Sequence, residues 1–259
     1  MPVTLITGQN EYGLRQMATK LGLSTWQVRL AREHGLLPEP DIAGRRWSAA
    51  LAAESDGRTE RIRAAFGDEP PVGGLKAALR LAVRVALDVE RADIEILVAR
   101  GDLTVIGRFQ EHPIYLLRDL DALHPQTVAD VVNARKGPLA DTVDARGAAT
   151  ILDWPLALFN RVAAERDLPS DQLGRYALAD VRAIAADESL AERGREEQQR
   201  LALERARKAE SRSEDILRGW LLRCTAYLDR ALDDPPDSAA PGRALRSLEA
   251  ARDLIARPA

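Results

Sequence analysis

The chain has one cysteine, Cys224, which excludes an intramolecular disulfide and a cysteine-built metal cluster. Histidine is nearly as scarce. His34, His112 and His124 are the three, and their separations fit no metal-ligand spacing. Aromatic residues are 4% of the 259, so any core must be built from Ala, Leu, Val and Ile. No apolar run approaches the ~20 residues that cross a bilayer, so no membrane partner is expected. The N-terminal stretch lacks a basic segment followed by a long apolar run, the pattern of a signal peptide, and the cytosol is the expected compartment. Positive charge is not in excess either: the formal net charge is −3. Proteins that coat nucleic acid nonspecifically are basic, so any DNA contact here needs a local patch. Lysine occurs only at positions 20, 76, 136 and 208, and arginine carries the remaining positive charge. The Ala, Arg and Asp bias marks a GC-rich, bacterial coding sequence and says nothing of activity.

Enzymatic signatures are missing as well. Gly73-Gly74 lacks the Lys-Ser/Thr that would make a phosphate loop. Cys224 falls on an apolar helical stripe, the position of a core residue rather than a nucleophile. No pair of carboxylates sits in an apolar setting that would raise a pKa for acid-base work. The expectation is a protein that is no enzyme and carries no cofactor.

What the chain does have is concentrated between residues 12 and 47. Leu14, Met17, Ala18 and Leu21 recur at helical spacing. Gly22 suits the left-handed end of that helix. Ser24 is placed to cap a second helix whose apolar face is Val28, Leu30 and Ala31. Gly35 stops it, Leu36 and Leu37 turn back inward, and a polar loop ends in the basic-aromatic tip Gly44-Arg45-Arg46-Trp47. Two helices joined by a glycine turn and followed by a basic hairpin make a winged helix-turn-helix.

The order of these residues resembles the DNA-binding head of the MerR family and its excisionase relatives: Ala18 in helix one, the turn at Gly22, Ser24 opening helix two, Arg29 within it, Gly35-Leu36-Leu37, then the Gly-Arg-Arg-Trp wing. The likeness covers about 40 residues. It implies a backbone contact by Arg29 and contacts of Arg45 and Arg46 with flanking phosphates or the minor groove.

Independently of the resemblance, the second helix of such a motif lies in the major groove with its first turn nearest the bases. That predicts double-stranded DNA as partner, met by Thr25, Trp26, Gln27, Arg29 and Arg32, with Arg15 adding a phosphate contact. Gln pairs with adenine and Arg with guanine or phosphate. Two other readings stay open. The arginines of an Arg-rich chain can be solvated surface, and Trp26 can pack against a following unit as readily as stack on DNA. His34, at a helix end, reads as a capping or surface residue.

The motif has echoes. Leu87-Asp88-Val89-Glu90 and Leu152-Asp153-Trp154-Pro155 repeat the order of Leu21-Gly22-Leu23-Ser24 at intervals of about 65 residues. Wings follow at Gly107-Arg108-Phe109 and Gly174-Arg175-Tyr176. The expected fold is therefore mainly α: three winged helix-turn-helix units in tandem, at 1–66, 75–136 and 140–187, then a long helix and a C-terminal helical hairpin over 188–259. Glu90, Asp93 and Glu95 make the second unit's groove helix acidic, and Leu156, Leu158 and Phe159 make the third's apolar. Carboxylates beside phosphates are repelled, so unit one is the expected DNA reader and units two and three are expected to pack or to hold a protein partner.

From about residue 187 the character changes, and the stretch 189–215 is charged, proline-free and rich in helix formers. Ile216, Leu217, Trp220, Leu221, Cys224, Tyr227 and Leu228 then form an apolar stripe, and Leu245, Leu248, Leu254 and Ile255 a second one. The two stripes are expected to pack as a hairpin, which opens the possibility of a homodimer through these helices. Function is expected to be sequence-specific DNA binding, as a transcriptional regulator or mobile-element accessory factor. The alternative is a protein-interaction scaffold of degenerate winged-helix units that read no DNA.

Overall fold

Glycines set the first helix ends. Gly22 closes α1 (Leu14–Leu21) in the left-handed conformation, φ 61°, where a side chain would be strained. Ser24 then opens α2 (Thr25–Glu33) with a reciprocal capping box: the Gln27 amide accepts from the Ser24 N–H at 2.8 Å. Gly35, φ 68°, turns the chain away. A strand β1 (Glu11–Tyr12) precedes α1 and pairs antiparallel with β2 (Trp47–Ser48) in the register Glu11↔Ser48 and Tyr12↔Trp47. Two short helices, α3 (Ala49–Glu54) and α4 (Thr59–Phe66), complete this stretch.

The order strand, helix, helix, strand, helix, helix then recurs. Its second instance is β3 (Val72–Gly73), α5 (Gly74–Val85), α6 (Arg91–Ala99), the hairpin β4 (Gly107–Phe109) with β5 (His112–Tyr115), α7 (Leu117–Ala122) and α8 (Pro125–Lys136). Here β5 is central, between β3 and β4. The third instance is β6 (Thr142–Val143), α9 (Ala145–Ile151), α10 (Leu156–Glu165), β7 (Tyr176–Ala177), α11 (Leu178–Ala186) and α12 (Glu188–Leu228), with β6 and β7 paired antiparallel. A last helix, α13 (Ala239–Ala256), follows Asp233-Asp234-Pro235-Pro236. The protein, described here as a computed structural model over residues 11–256, is thus mainly α with small antiparallel sheets. The segment 1–10, on which the signal-peptide expectation rests, lies outside the described residues. No helix among the described residues is long and apolar enough to cross a membrane.

Contacts divide the chain into two bodies. One comprises the residues up to Ile151 with Ser170–Ala179; the other comprises Leu152–Pro169 and everything from Asp180 on. In the first body the apolar faces of α1 and α2 close over Met17, Val28, Leu30 and Trp47, and Ile114 and Leu116 of the second stretch join the same core. The Trp47 indole donates to the Pro38 carbonyl at 2.9 Å, satisfying its one polar atom.

In the second body, α12 runs for 41 residues without a break. Asp187 caps its start by accepting from the Ser189 and Leu190 N–H groups. Its first turns lie on the segment around α10: Gly194 fits against the Trp154 ring, and Arg193 is paired with Glu165 at 2.6 Å. Its far end pairs with α13, where Arg252 bridges Glu210 and Glu214, both at 2.9 Å. The expected leucine seam of this hairpin needs correction. Of the expected stripes Leu248 is buried, together with the small Ala206, Ser213, Ala244 and Ala251, while Leu221, Leu228 and Leu245 are exposed.

Candidate functional site

The expected DNA-reading surface is α2 with the loop 42–46. Thr25 is exposed at the start of α2, and Arg15 is exposed on α1. Trp26 is half-buried. Gln27 does not face outward. It is 3% exposed, and its amide both receives the Ser24 N–H and donates to the Gly67 carbonyl at 2.6 Å. A buried residue whose amide is turned to the backbone of Ser24 and Gly67 cannot pair with a base, so the expectation for Gln27 is corrected. The signal was present as Ser24-Thr-Trp-Gln27, the capping-box spacing, which turns the third helical residue back toward the helix start.

The arginines are drawn toward local carboxylates. Arg29 stands 3.5 Å from Glu33, Arg32 is 3.7 Å from Glu39, and Arg46 is 2.8 Å from Glu11. Arg45 and Arg15 have no carboxylate partner among the described residues. The hairpin itself is locally braced: Asp41 accepts from the Ser48 N–H at 2.7 Å, and bonds with Ser48 hold the Asp41 carboxyl below its ordinary range.

One flank of α2 is also covered. The β4–β5 hairpin of the second stretch lies along it. The Phe109 ring sits under the Arg29 guanidinium, 5.4 Å from its centroid, a cation–π contact. The Ile106 carbonyl is 2.7 Å from His34 Nε2, and His34 also meets the Phe66 ring. At Gly107 the approach is so close that a Cβ there would lie 2.9 Å from Leu30 Cδ2 and 3.1 Å from Glu33 Oε2. The Arg29 Nε is buried without a hydrogen bond as a result. Of the two roles left open for Trp26, the structure places it beside the residues of the following stretch: with Leu14, Thr25 and Arg29 it lines a cavity of about 490 Å³ whose other wall is Pro70, Pro71, Gly73, Phe109, His112 and Ile114. The sequence reading missed this second wall. Its signal, a Pro-Pro pair and an aromatic wing, carries no indication of what it packs on.

A second, more polar cleft of about 580 Å³ is lined by Asp88, Glu90, Arg135, Lys136, Asp144, Arg146 and Arg175. Three of its four cations are committed to structure. Lys136 bonds Asp88 at 2.8 Å, Arg135 holds the fully buried Asp93 at 2.9 Å and Glu90 at 2.9 Å, and Arg175 bonds Thr142. Asp93 is the counterpart of Gln27: third in its helix, buried, and accepting from the N–H of the capping residue, here Glu90 at 2.8 Å. The acidic face expected of α6 is therefore in part an internal anchor. No group of three or more candidate metal ligands exists among the described residues. No protein-family profile, curated protein or solved structure matches this chain.

Proposed function

We propose that the protein is an interaction scaffold built from three degenerate winged-helix units, and that unit one does not read DNA through its second helix. The observation that carries this is the seat of the β4–β5 hairpin on α2: Gly107 against Leu30, Ile106 against His34, Phe109 under Arg29. A recognition helix must present its outer face to the major groove, and here Phe109 covers Arg29 on that face while Ile106 and Gly107 hold the helix at its end and on its core side. Charge adds support. Arg46 is paired with Glu11 at 2.8 Å, Arg29 and Arg32 stand 3.5 and 3.7 Å from carboxylates, and the net charge is −3, all of which weaken the pull of this surface on a phosphate backbone.

The scaffold would hold protein partners on units two and three and a second copy of itself through the C-terminal hairpin. Leu221, Leu222 and Leu228 are 57%, 72% and 78% exposed, and Leu221 and Leu228, seven residues apart, share one face of the helix; such an exposed apolar line supports self-association. Leu222→Glu with Leu228→Glu is expected to halve the mass found by light scattering while helical content stays constant; an unchanged mass would remove the homodimer.

The DNA-reading alternative keeps one specific support: Arg15, Arg45 and Thr25 are exposed, and the two arginines lack carboxylate partners among the described residues. A pool of genomic fragments at two salt concentrations separates the readings. The scaffold predicts no enriched sites and little salt dependence. Discrete sites, lost in Arg29→Ala and Arg46→Ala, would restore a DNA-binding regulator.

A further inference from the structure

We propose that the cleft between α1, α2 and the β4–β5 hairpin binds a small amphipathic carboxylate, an aromatic or branched apolar acid whose charged end meets Arg29. At about 490 Å³ it falls within the range of small-molecule sites, which combine apolar walls with a few polar groups. The walls fit an apolar body: Trp26, Pro70, Pro71, Phe109 and Ile114. The polar side chains of the lining are those of Thr25, Arg29 and His112.

Arg29 is the reason for the acid. Its Nε is buried and makes no hydrogen bond, a state that costs free energy unless something accepts from it. Glu33 is the nearest carboxylate, but at 3.5 Å from Nε it is too far for a good bond. An incoming carboxylate can take two guanidinium hydrogens at once, in the planar geometry that favours Arg over Lys.

The repeat supplies an internal comparison. The corresponding cleft of the second stretch, about 320 Å³, is lined by Leu75, Arg91, Ile94, Glu95 and Tyr115. Counted from the capping residue, Arg91 stands where Thr25 does and Glu95 where Arg29 does. There the pair satisfies itself, Arg91 Nε donating to Glu95 at 3.1 Å. In the first stretch the acceptor's place is taken by the cation Arg29 and the cation's place by the hydroxyl of Thr25, so this pair cannot form. One cleft is closed electrostatically and the other is left with a donor to fill.

The test uses the full chain and three probes of one shape: 2-naphthoate, 2-naphthamide and 2-naphthylmethylammonium, titrated by calorimetry. The expected order is naphthoate tightest, by at least about tenfold over the amide, one charge-assisted bond's worth of discrimination, with the ammonium weakest. Arg29→Gln is expected to bring naphthoate down to the amide, and Thr25→Val to weaken naphthoate alone. Equal binding of the three probes, no saturable binding of naphthoate, or naphthoate affinity unchanged in Arg29→Gln would each overturn the assignment. Should Arg29→Gln not fold, the charge series on the native chain and the exposed-site variant Thr25→Val decide the question.

Discussion

Gly107→Val probes the seat of the hairpin on α2 through the sign of a stability change. Gly107 lies in β4, paired with Ile114, and its φ is outside the left-handed region, so valine can adopt its backbone conformation. On a hairpin free of neighbours the substitution should stabilise. Valine favours strands over glycine by up to ~1 kcal/mol, and removing glycine from the unfolded chain contributes roughly 0.4–1 kcal/mol more. Against α2 the balance reverses. The new Cβ would sit 2.9 Å from Leu30 Cδ2, whereas carbon atoms rest about 3.5–4.0 Å apart. Leu30 is fully buried and cannot swing away, so the hairpin or the helix must shift. Such overpacking costs about 1–3 kcal/mol, more as the two γ-methyls follow. The net expectation is a loss of about 1–2 kcal/mol.

Urea unfolding read by circular dichroism measures the loss as a lowered midpoint at constant slope. Hydrogen exchange adds location, with faster exchange expected at Gly107, Ile114 and along α2. Leu30→Ala removes the obstructing methyl at its own cost of about 2–5 kcal/mol. In the double variant the two losses should fall short of additivity by more than ~0.5 kcal/mol. A stability gain in Gly107→Val, or strict additivity with Leu30→Ala, would mean that the hairpin does not rest on α2, and the argument against DNA reading would go with it.

Three further expectations concern the frame around the site. Arg135→Met should cost about 3–5 kcal/mol, because it leaves the fully buried Asp93 carboxylate without its cation; Asp93→Asn in that background should recover part of the loss in urea titrations. Gly194→Ala should lower the melting temperature although alanine is the better helix former by ~1 kcal/mol, since the new methyl would fall within the Trp154 ring; a raised melting temperature would refute the packing. The cap of α12 should weaken in acid. The Ser189 hydroxyl, then the Leu190 N–H and Arg166, hold the Asp187 carboxyl below its ordinary range, so its contribution is present above the ordinary carboxylate pKa of about 4 and is lost as pH falls through the lower folded value. Exchange at the Ser189 and Leu190 amides should quicken below that range, and Asp187→Ala should abolish the dependence.

Local signals were the legible ones. Gly22, Ser24 and Gly35 mark the limits of α1 and α2 because caps and left-handed turns depend on a few adjacent residues. The start of α12 and its break near Pro235-Pro236 follow from the same kind of signal. The wrong faces arose where a residue's surroundings come from far along the chain. Arg29 lies on the outer side of its helix by periodicity, yet Phe109, 80 positions later in sequence, decides whether it meets solvent. The leucine stripes of α12 and α13 have helical spacing, but periodicity does not say which flank is buried; Leu248 was buried as expected, and Ala206, Ala244 and Ala251 joined it in place of the other leucines. Gln27 is the exception. Its inward turn was written in a four-residue capping box and outweighed by its place on the wheel.

A geometry repeated with different chemistry explains why α2 is fixed so firmly. In each stretch the carbonyl two residues before the capping position of the second helix accepts from the stretch's last helix: Gly22 from Arg63 at 2.8 Å, Asp88 from Arg135 at 2.6 Å, and Asp153 from Gln198. The donors differ, but the need is the same, since a tight turn leaves this carbonyl without an intrahelical partner. The third helical position turns inward each time as well, filled by Gln27, Asp93 and Leu158, all buried. An amide, a paired carboxylate and an apolar chain meet one steric requirement at quite different electrostatic cost. The first turn of each second helix is thus tied to its own stretch, which leaves only the hairpin of the next stretch to govern access. For α2 that hairpin carries Gly107, the one residue small enough to let it close on Leu30. Access to Arg29, whether by a polyanion or by a small acid, is therefore controlled by a strand pair rather than by the helix that bears it.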